Sequence, residues 1–394
     1  MKRVGIREQR GIFSGWWVEW SAEQIRDPVL RLRYLKLAAP PPQVSRAGHG
    51  SRFLKPLLVA LVVSMGALFF LARASGWGTP AATRRSAPSR RPALHAEPAP
   101  SVWLVDQTDD SETYSNGLRI DKRFAMSNRP RAYVAFRADR PEETAGEQRS
   151  QPAGIVFHTT ESRQAPFEAQ QNPLLRRIGE SLIDYVRRKH AYNYLVDRFG
   201  RVYRLVVESD AADHAGYSVW CDEKWLYLNL NDGFLGVSLE TETRPGQVDA
   251  GVNPAQIRAA AVLTEMLRGK YGIAAANCVT HAQVSVNPSN MRVGYHTDWA
   301  SSFPFAQMGL PDNYARALPA VSIFGFEYDS TFLETAGPRM AAEAEMAEAD
   351  LQDRAARSRI TPAAFRKGLR DRYRRMMGEN IRASGPLPVR DNHE

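Results

Sequence analysis

The sequence predicts an α/β domain built on a mixed central β-sheet flanked by helices, preceded by a single transmembrane helix and followed by C-terminal helices. Three observations predict it. Short β-rich runs and helical periods follow one another in the order strand, helix, hairpin, strand, helix, as a mixed sheet requires. An unbroken apolar run lies near the N-terminus, and after Pro338 the chain turns to strong helix formers with alternating charge.

Residues 1–55 form a basic segment that includes Lys2, Arg3, Arg7, Arg10, Arg26, Arg31, Arg33, Lys36, Arg46, Arg52 and Lys55. The run "PLLVALVVSMGALFFLA", Pro56 to Ala72, has no polar stripe apart from Ser64, so residues 56–74 read as a signal anchor spanning the bilayer. The excess of positive charge before it places residues 1–55 in the cytoplasm and everything after Ala74 outside. A cleaved leader is the alternative, with "ARA" at Ala72 to Ala74 as the small-residue cleavage site. Residues 75–101, rich in Pro, Ala, Ser and Arg, read as an extended linker containing His95.

The net charge of +9 over 394 residues invites a nucleic-acid reading, but the basic residues crowd at the two ends, which argues against one nucleic-acid groove. Two cysteines, Cys221 and Cys278, form no CxxC pair, which disfavours a thiolate zinc knuckle. A disulfide between them and two free buried thiols both remain open. Nothing in the sequence sets the oligomeric state.

The folded domain is assigned to residues 102–337. It opens with "SVWLV", "YSNGLRI" and "RAYVAFRA", strand-like runs separated by polar turns. "GIVFHTTES" follows, a short apolar strand (Ile155, Val156, Phe157) that ends in His158, Thr159 and Thr160 at a polar mouth. Leu174, Leu175, Ile178, Leu182, Ile183 and Val186 recur at helical spacing. "YNYLVDRFGRVYRLVV" reads as a hairpin around "DRFG", "GFLGVSLETE" as a buried strand, and "NPAQIRAAAVLTEMLRGKYGI" as a helix capped by Asn253 with Pro254 in its first turn. His190 falls at the basic end of a helix and reads as a surface residue. Residues 338–394 read as a helical extension with a solvated charged face, free to pack on the domain, contact anionic envelope polymers or mediate assembly.

In that order, "IVFHTTES", "YNYLVDRFGRVYRL", "DHAGYS", "GFLGVSLE" and "VTHAQVS…HTDWA" resemble the zinc-dependent N-acetylmuramoyl-L-alanine amidases of the type 2 family, which share a fold with peptidoglycan recognition proteins and phage T7 lysozyme. The likeness runs from Ala153 to Trp299. It implies a Zn²⁺ ion held by His158, His281 and Asp298, and hydrolysis of the amide joining N-acetylmuramic acid to the first L-alanine of peptidoglycan. The chemistry of the set agrees: two imidazoles and a carboxylate suit zinc and leave a fourth position for water.

The sequence departs from the family in three places. The loop from His281 to Asp298 is long, so His296 rivals Asp298 as third ligand. His296 also occupies the slot of the family's lysine, which stabilises the oxyanion; since only a protonated histidine brings a full charge, steeper pH dependence is expected. Where several members carry a glutamate base, this chain has Ser238, with Glu240 on the same face by strand alternation. Tyr192 matches the tyrosine of the phage and recognition-protein branch and is the expected partner of the reacting water. His214 of "DHAGYS", Thr159 and Ser238 are assigned to substrate contact. A peptidoglycan-binding module without hydrolytic activity is the alternative reading, separated from the enzyme by metal content.

Overall fold

Ile155, Val156 and Phe157 form the middle of a strand, Gly154–Thr159, that is buried along its whole length. Such a strand needs cover on both faces, which parallel neighbours with crossover helices provide. The structure, a computed structural model, describes residues 100–384 apart from positions 141, 144, 163 and 245. The expected anchor at 56–74, the basic segment 1–55, His95 and nearly all of the linker lie outside the described residues. Among the described residues, no helix is long and apolar enough to cross a membrane.

Gly154–Thr159 lies between two parallel strands, Phe234–Leu239 and Cys278–Thr280. Outward from Phe234–Leu239 the sheet continues through Tyr194–Val196, Val202–Arg204, Arg119–Asp121, Ser111–Tyr114 and Leu104–Gln107, eight strands in all. Parallel and antiparallel pairs both occur, so the expected mixed sheet is present. The expected hairpin joins Tyr194–Val196 to Val202–Arg204. Asp197 shapes its turn by accepting the backbone N–H groups of Phe199 and Arg201, and Gly200 takes the left-handed φ of 75°.

Alternation along the central strands sorts their side chains into two layers. Ile155, Phe157, Leu235, Val237 and Leu239 meet Ala260, Leu263 and Leu267 of the helix Pro254–Tyr271. Val156 and Phe234 face the other way, against Tyr133, Trp220, Tyr227 and Leu230. The helix begins as expected: Asn253 Oδ1 accepts from Gln256 N while Gln256 Oε1 accepts from Asn253 N, a reciprocal cap with Pro254 in the first turn. The helix Asn172–Lys189 buries Leu175, Gly179, Leu182, Ile183 and Val186, and stops at His190, whose φ of 51° closes it in a left-handed turn.

A second, antiparallel sheet of Val219–Cys221, Trp225–Leu228, Tyr133–Arg137 and Glu147–Arg149 covers the far layer. Cys221 lies in this sheet and Cys278 in the main one, and both thiols are free.

The C-terminal helices, Pro338–Arg357 and Pro362–Ser384, have more than a solvated face. Met340, Ala344, Ala347, Tyr373 and Met376 join Leu318, Val321, Phe324 and Phe326 in one buried cluster. Glu343 is buried with them, and its Oε1 accepts from Gln283 Nε2 at 2.8 Å. Burial pushes its carboxyl well above the ordinary value of 4.5. A carboxyl with a raised folded-state pKa binds more protons folded than unfolded, so its contribution to stability falls as pH rises above about 4.5. Glu343→Gln keeps the acceptor for Gln283 and removes that penalty. Its melting temperature should exceed wild type by more at pH 8 than at pH 5, at about 2–4 °C for each kcal/mol recovered. A lower melting temperature at pH 8 would show instead that the carboxylate is ionised and compensated.

Candidate metal centre

His158 is the last residue but one of the central strand, and Thr280 ends its edge neighbour opposite Phe157, so His281 emerges beside His158 at the same edge of the sheet. Thr280 caps the short helix His281–Val284: its Oγ1 accepts from Gln283 N, and Gln283 Oε1 accepts from Thr280 N at 3.1 Å. This reciprocal cap turns the chain sharply and aims the His281 ring inward. Asp298 comes from the following loop, where its carbonyl oxygen accepts from Ala282 N.

The three side chains converge. Asp298 Oδ1 lies 2.8 Å from His281 Nδ1, and Oδ2 lies 3.2 Å from His158 Nδ1. The two imidazole centroids are 4.5 Å apart, and all three residues are buried. Burial pushes the His158 pKa down to about 4, with His281 adding to the effect and Asp298 opposing it. Burial alone would raise the pKa of Asp298, but the two imidazoles, His281 foremost, hold it well below the carboxylate range. The result is a neutral imidazole beside an ionised carboxylate, the states in which these groups bind a metal.

The donors fit zinc. In a tetrahedral shell with bonds of about 2.0–2.1 Å, neighbouring donor atoms stand roughly 3.3 Å apart, close to the separations found here. His281 Nε2, on the far side of its ring, is buried with no hydrogen-bond partner among the described residues. Sequence reasoning left Asp298 and His296 as rivals; the structure gathers Asp298 with both imidazoles and stacks His296 flat on the His281 ring, centroids 4.5 Å apart. His296 is exposed, yet desolvation by the surrounding protein and the His281 imidazole push its pKa down. A ring in its neutral form donates through one N–H.

Tyr192 packs against His158 with ring centroids 5.1 Å apart. Burial and then the Asp298 charge push its phenol pKa up, while the nearby Ser238 hydroxyl opposes them, so the O–H stays protonated as a donor. The other four expected site residues lie as follows. Ser238 pairs with His158 in register and is wholly sealed from solvent. Thr159 is buried, and its hydroxyl donates to Glu161 and lies 3.1 Å from Thr243 Oγ1. Glu240 lies past the end of its strand, where its Oε2 accepts from Arg198 N; burial pushes its pKa up to about 7, among Asp197, Arg198 and Arg201 rather than at the metal centre. His214 lies behind His158, buried, with Nδ1 3.0 Å from His158 Nε2.

Sequence reasoning assigned no role to Glu161, whose carboxylate also accepts from Thr243 N and whose φ of 51° is unusual for a residue with a Cβ. Its pKa is raised by burial, with Asp298 adding to the effect. The signal was its place in "HTTES", three residues beyond His158.

Residues 148–298 match the family model described as N-acetylmuramoyl-L-alanine amidase. This segment is similar to the type 2 amidase family. Over 91 residues the chain is 36% identical to the N-acetylmuramoyl-L-alanine amidase AmiD of Escherichia coli, a match covering 22% of this chain and 31% of that protein. The chain thus spans about a third of the length of this relative. Among solved structures, the amidase domain is similar to AmiD in complex with an anhydro-N-acetylmuramic acid peptide, at 22% identity and a TM-score of 0.32, over 51% of this chain and 89% of that one. It is also similar to AmpDh3 of Pseudomonas aeruginosa in complex with anhydromuramic pentapeptide, at 21% identity and a TM-score of 0.30, over 40% and 58%.

Proposed function

We propose that the amidase domain cleaves the amide between N-acetylmuramic acid and L-alanine in peptidoglycan, with zinc held by His158, His281 and Asp298. The observation that carries this reading is the convergence of those three donors within 4.8 Å of one another, inside the segment that matches the family. A bound zinc ion would supply Lewis-acid polarisation of the carbonyl and a water made nucleophilic near neutral pH.

The chain's own residues do the rest. His158 and His281 offer ring nitrogens from neighbouring strand ends, and Asp298 would neutralise part of the metal charge. The protonated phenol of Tyr192 stands beside His158 as a hydrogen-bond donor to the reacting groups. The neutral ring of His296, at the solvent side of His281, supplies an N–H toward the developing oxyanion. On the same reading, the apolar run at 56–72 tethers the domain to the cytoplasmic membrane and leaves it in the periplasm, where its polymer lies.

The test is mass spectrometry of muropeptides after incubation with the full chain in detergent, with and without a zinc chelator. The expected result is separation of stem peptide from muramic acid, lost on chelation and restored by zinc. A zinc-loaded protein that leaves every muropeptide uncut would overturn the hydrolytic reading and favour a binding module.

A further inference from the structure

We propose that His214 is a positioning residue for the metal site, holding His158 in the tautomer whose bare Nδ1 faces the ion. This rests on the zinc reading above. The His214 ring is 8% exposed and occupies a niche that the backbone of Gly236 leaves open: a Cβ there would stand 2.6 Å from His214 Cγ. The loop that carries it is pinned, because Asn231 Oδ1 accepts from the backbone N–H groups of His214, Ala215 and Gly216 at 2.9, 2.6 and 3.2 Å.

Three contacts run in a row. His214 Nε2 lies 3.3 Å from the carbonyl oxygen of Phe234, His214 Nδ1 lies 3.0 Å from His158 Nε2, and His158 Nδ1 lies 3.2 Å from Asp298 Oδ2. Both ends of the row, a carbonyl and a carboxylate, only accept. Three hydrogen bonds need three protons, and two neutral imidazoles carry two. With His158 Nδ1 turned to the ion, His158 Nε2–H donates to His214 Nδ1, and His214 Nε2–H donates to the Phe234 carbonyl oxygen. His158 Nδ1 is then a bare lone pair opposite a carboxylate oxygen. Two electron-rich atoms at that distance repel unless a cation lies with them, so the row terminates in a metal ligand. A ligating histidine whose other ring N–H is fixed by such a partner is held in orientation and made more basic.

The experiment is zinc affinity of the full chain by chelator competition, without substrate. His214→Phe fills the niche but can neither accept nor donate, and should weaken zinc by about 10–100-fold, whereas His214→Gln, with both an acceptor and a donor, should stay within about threefold of wild type. A His214→Phe variant that binds zinc as wild type does would overturn the proposal, as would a His214→Gln variant as weak as the phenylalanine one. If neither variant folds, nitrogen-15 NMR of the zinc-loaded wild type decides: protons on Nε2 of both His214 and His158 support the relay, and a proton on His214 Nδ1 overturns it. Muropeptides left uncut by a protein that meets these zinc results would refute the hydrolase reading alone.

Discussion

Asp298→Ala should strip zinc and end amide cleavage together, while His296→Ala should keep the metal and lose turnover by roughly 10²–10³, the size expected for one oxyanion donor. The two residues share one loop, yet they fail differently because they touch different things. Asp298 bonds both imidazoles, so removing it leaves two ring donors and no carboxylate to complement the ion. The loss of affinity should exceed the roughly 10–100-fold typical when only an outer partner of a ligand is removed. His296 stacks on the outside of His281 and leaves the convergence of the other three intact. Zinc stoichiometry and muropeptide cleavage, measured side by side, decide the matter. Zinc lost from His296→Ala and retained by Asp298→Ala would exchange the roles.

A chain ending at Gly337 should fail to fold. Met340, Ala344, Ala347, Leu351 and Ala355 are fully sealed from solvent, and Tyr373 and Met376 nearly so. Burying a side chain of Leu or Met size contributes about 1.5–3 kcal/mol, so losing this set removes a large share of a margin that is about 5–15 kcal/mol for a whole domain. The truncated chain would also bare Phe324 and Phe326. Soluble yield and circular dichroism read the outcome. A truncated chain with wild-type melting would show that the helices are dispensable cover.

The core of this architecture was legible because its strands are short apolar runs bounded by turn residues, and the helix Pro254–Tyr271 carries its own cap at Asn253 with Pro254 in its first turn. Of the second sheet, the strand in "RAYVAFRA" was legible and the hairpin beside it was not. "VWCDEKWLYL" has no glycine or proline at its turn, which is made by Asp222 Oδ1 accepting from Lys224 N and Trp225 N. The metal donors could be named from motif order. The direction of the His214 ring could not, because the space that admits it is the missing side chain of Gly236 on another element. Glu240 misled for a related reason: strand alternation holds only while the strand lasts, and this one ends at Leu239. The long apolar positions of the C-terminal helices are sparse, and alanines, small enough for close helix packing, carry much of their buried face.

His158 and His281 leave neighbouring parallel strands at one level, so main-chain hydrogen bonds of the ladder set the gap between the imidazoles. Whatever lies between the rings does not set it. A site built this way exists before its ion arrives. The metal is then exchangeable cargo and not a folding staple: dialysis against chelator should leave the domain standing, with thermal stability reduced only by the lost binding term, RT ln(1 + [L]/Kd). Other divalent ions that favour imidazole and carboxylate donors can be loaded into the same frame without a refolding step, and a coloured or paramagnetic substitute would turn the buried centre into its own spectroscopic reporter.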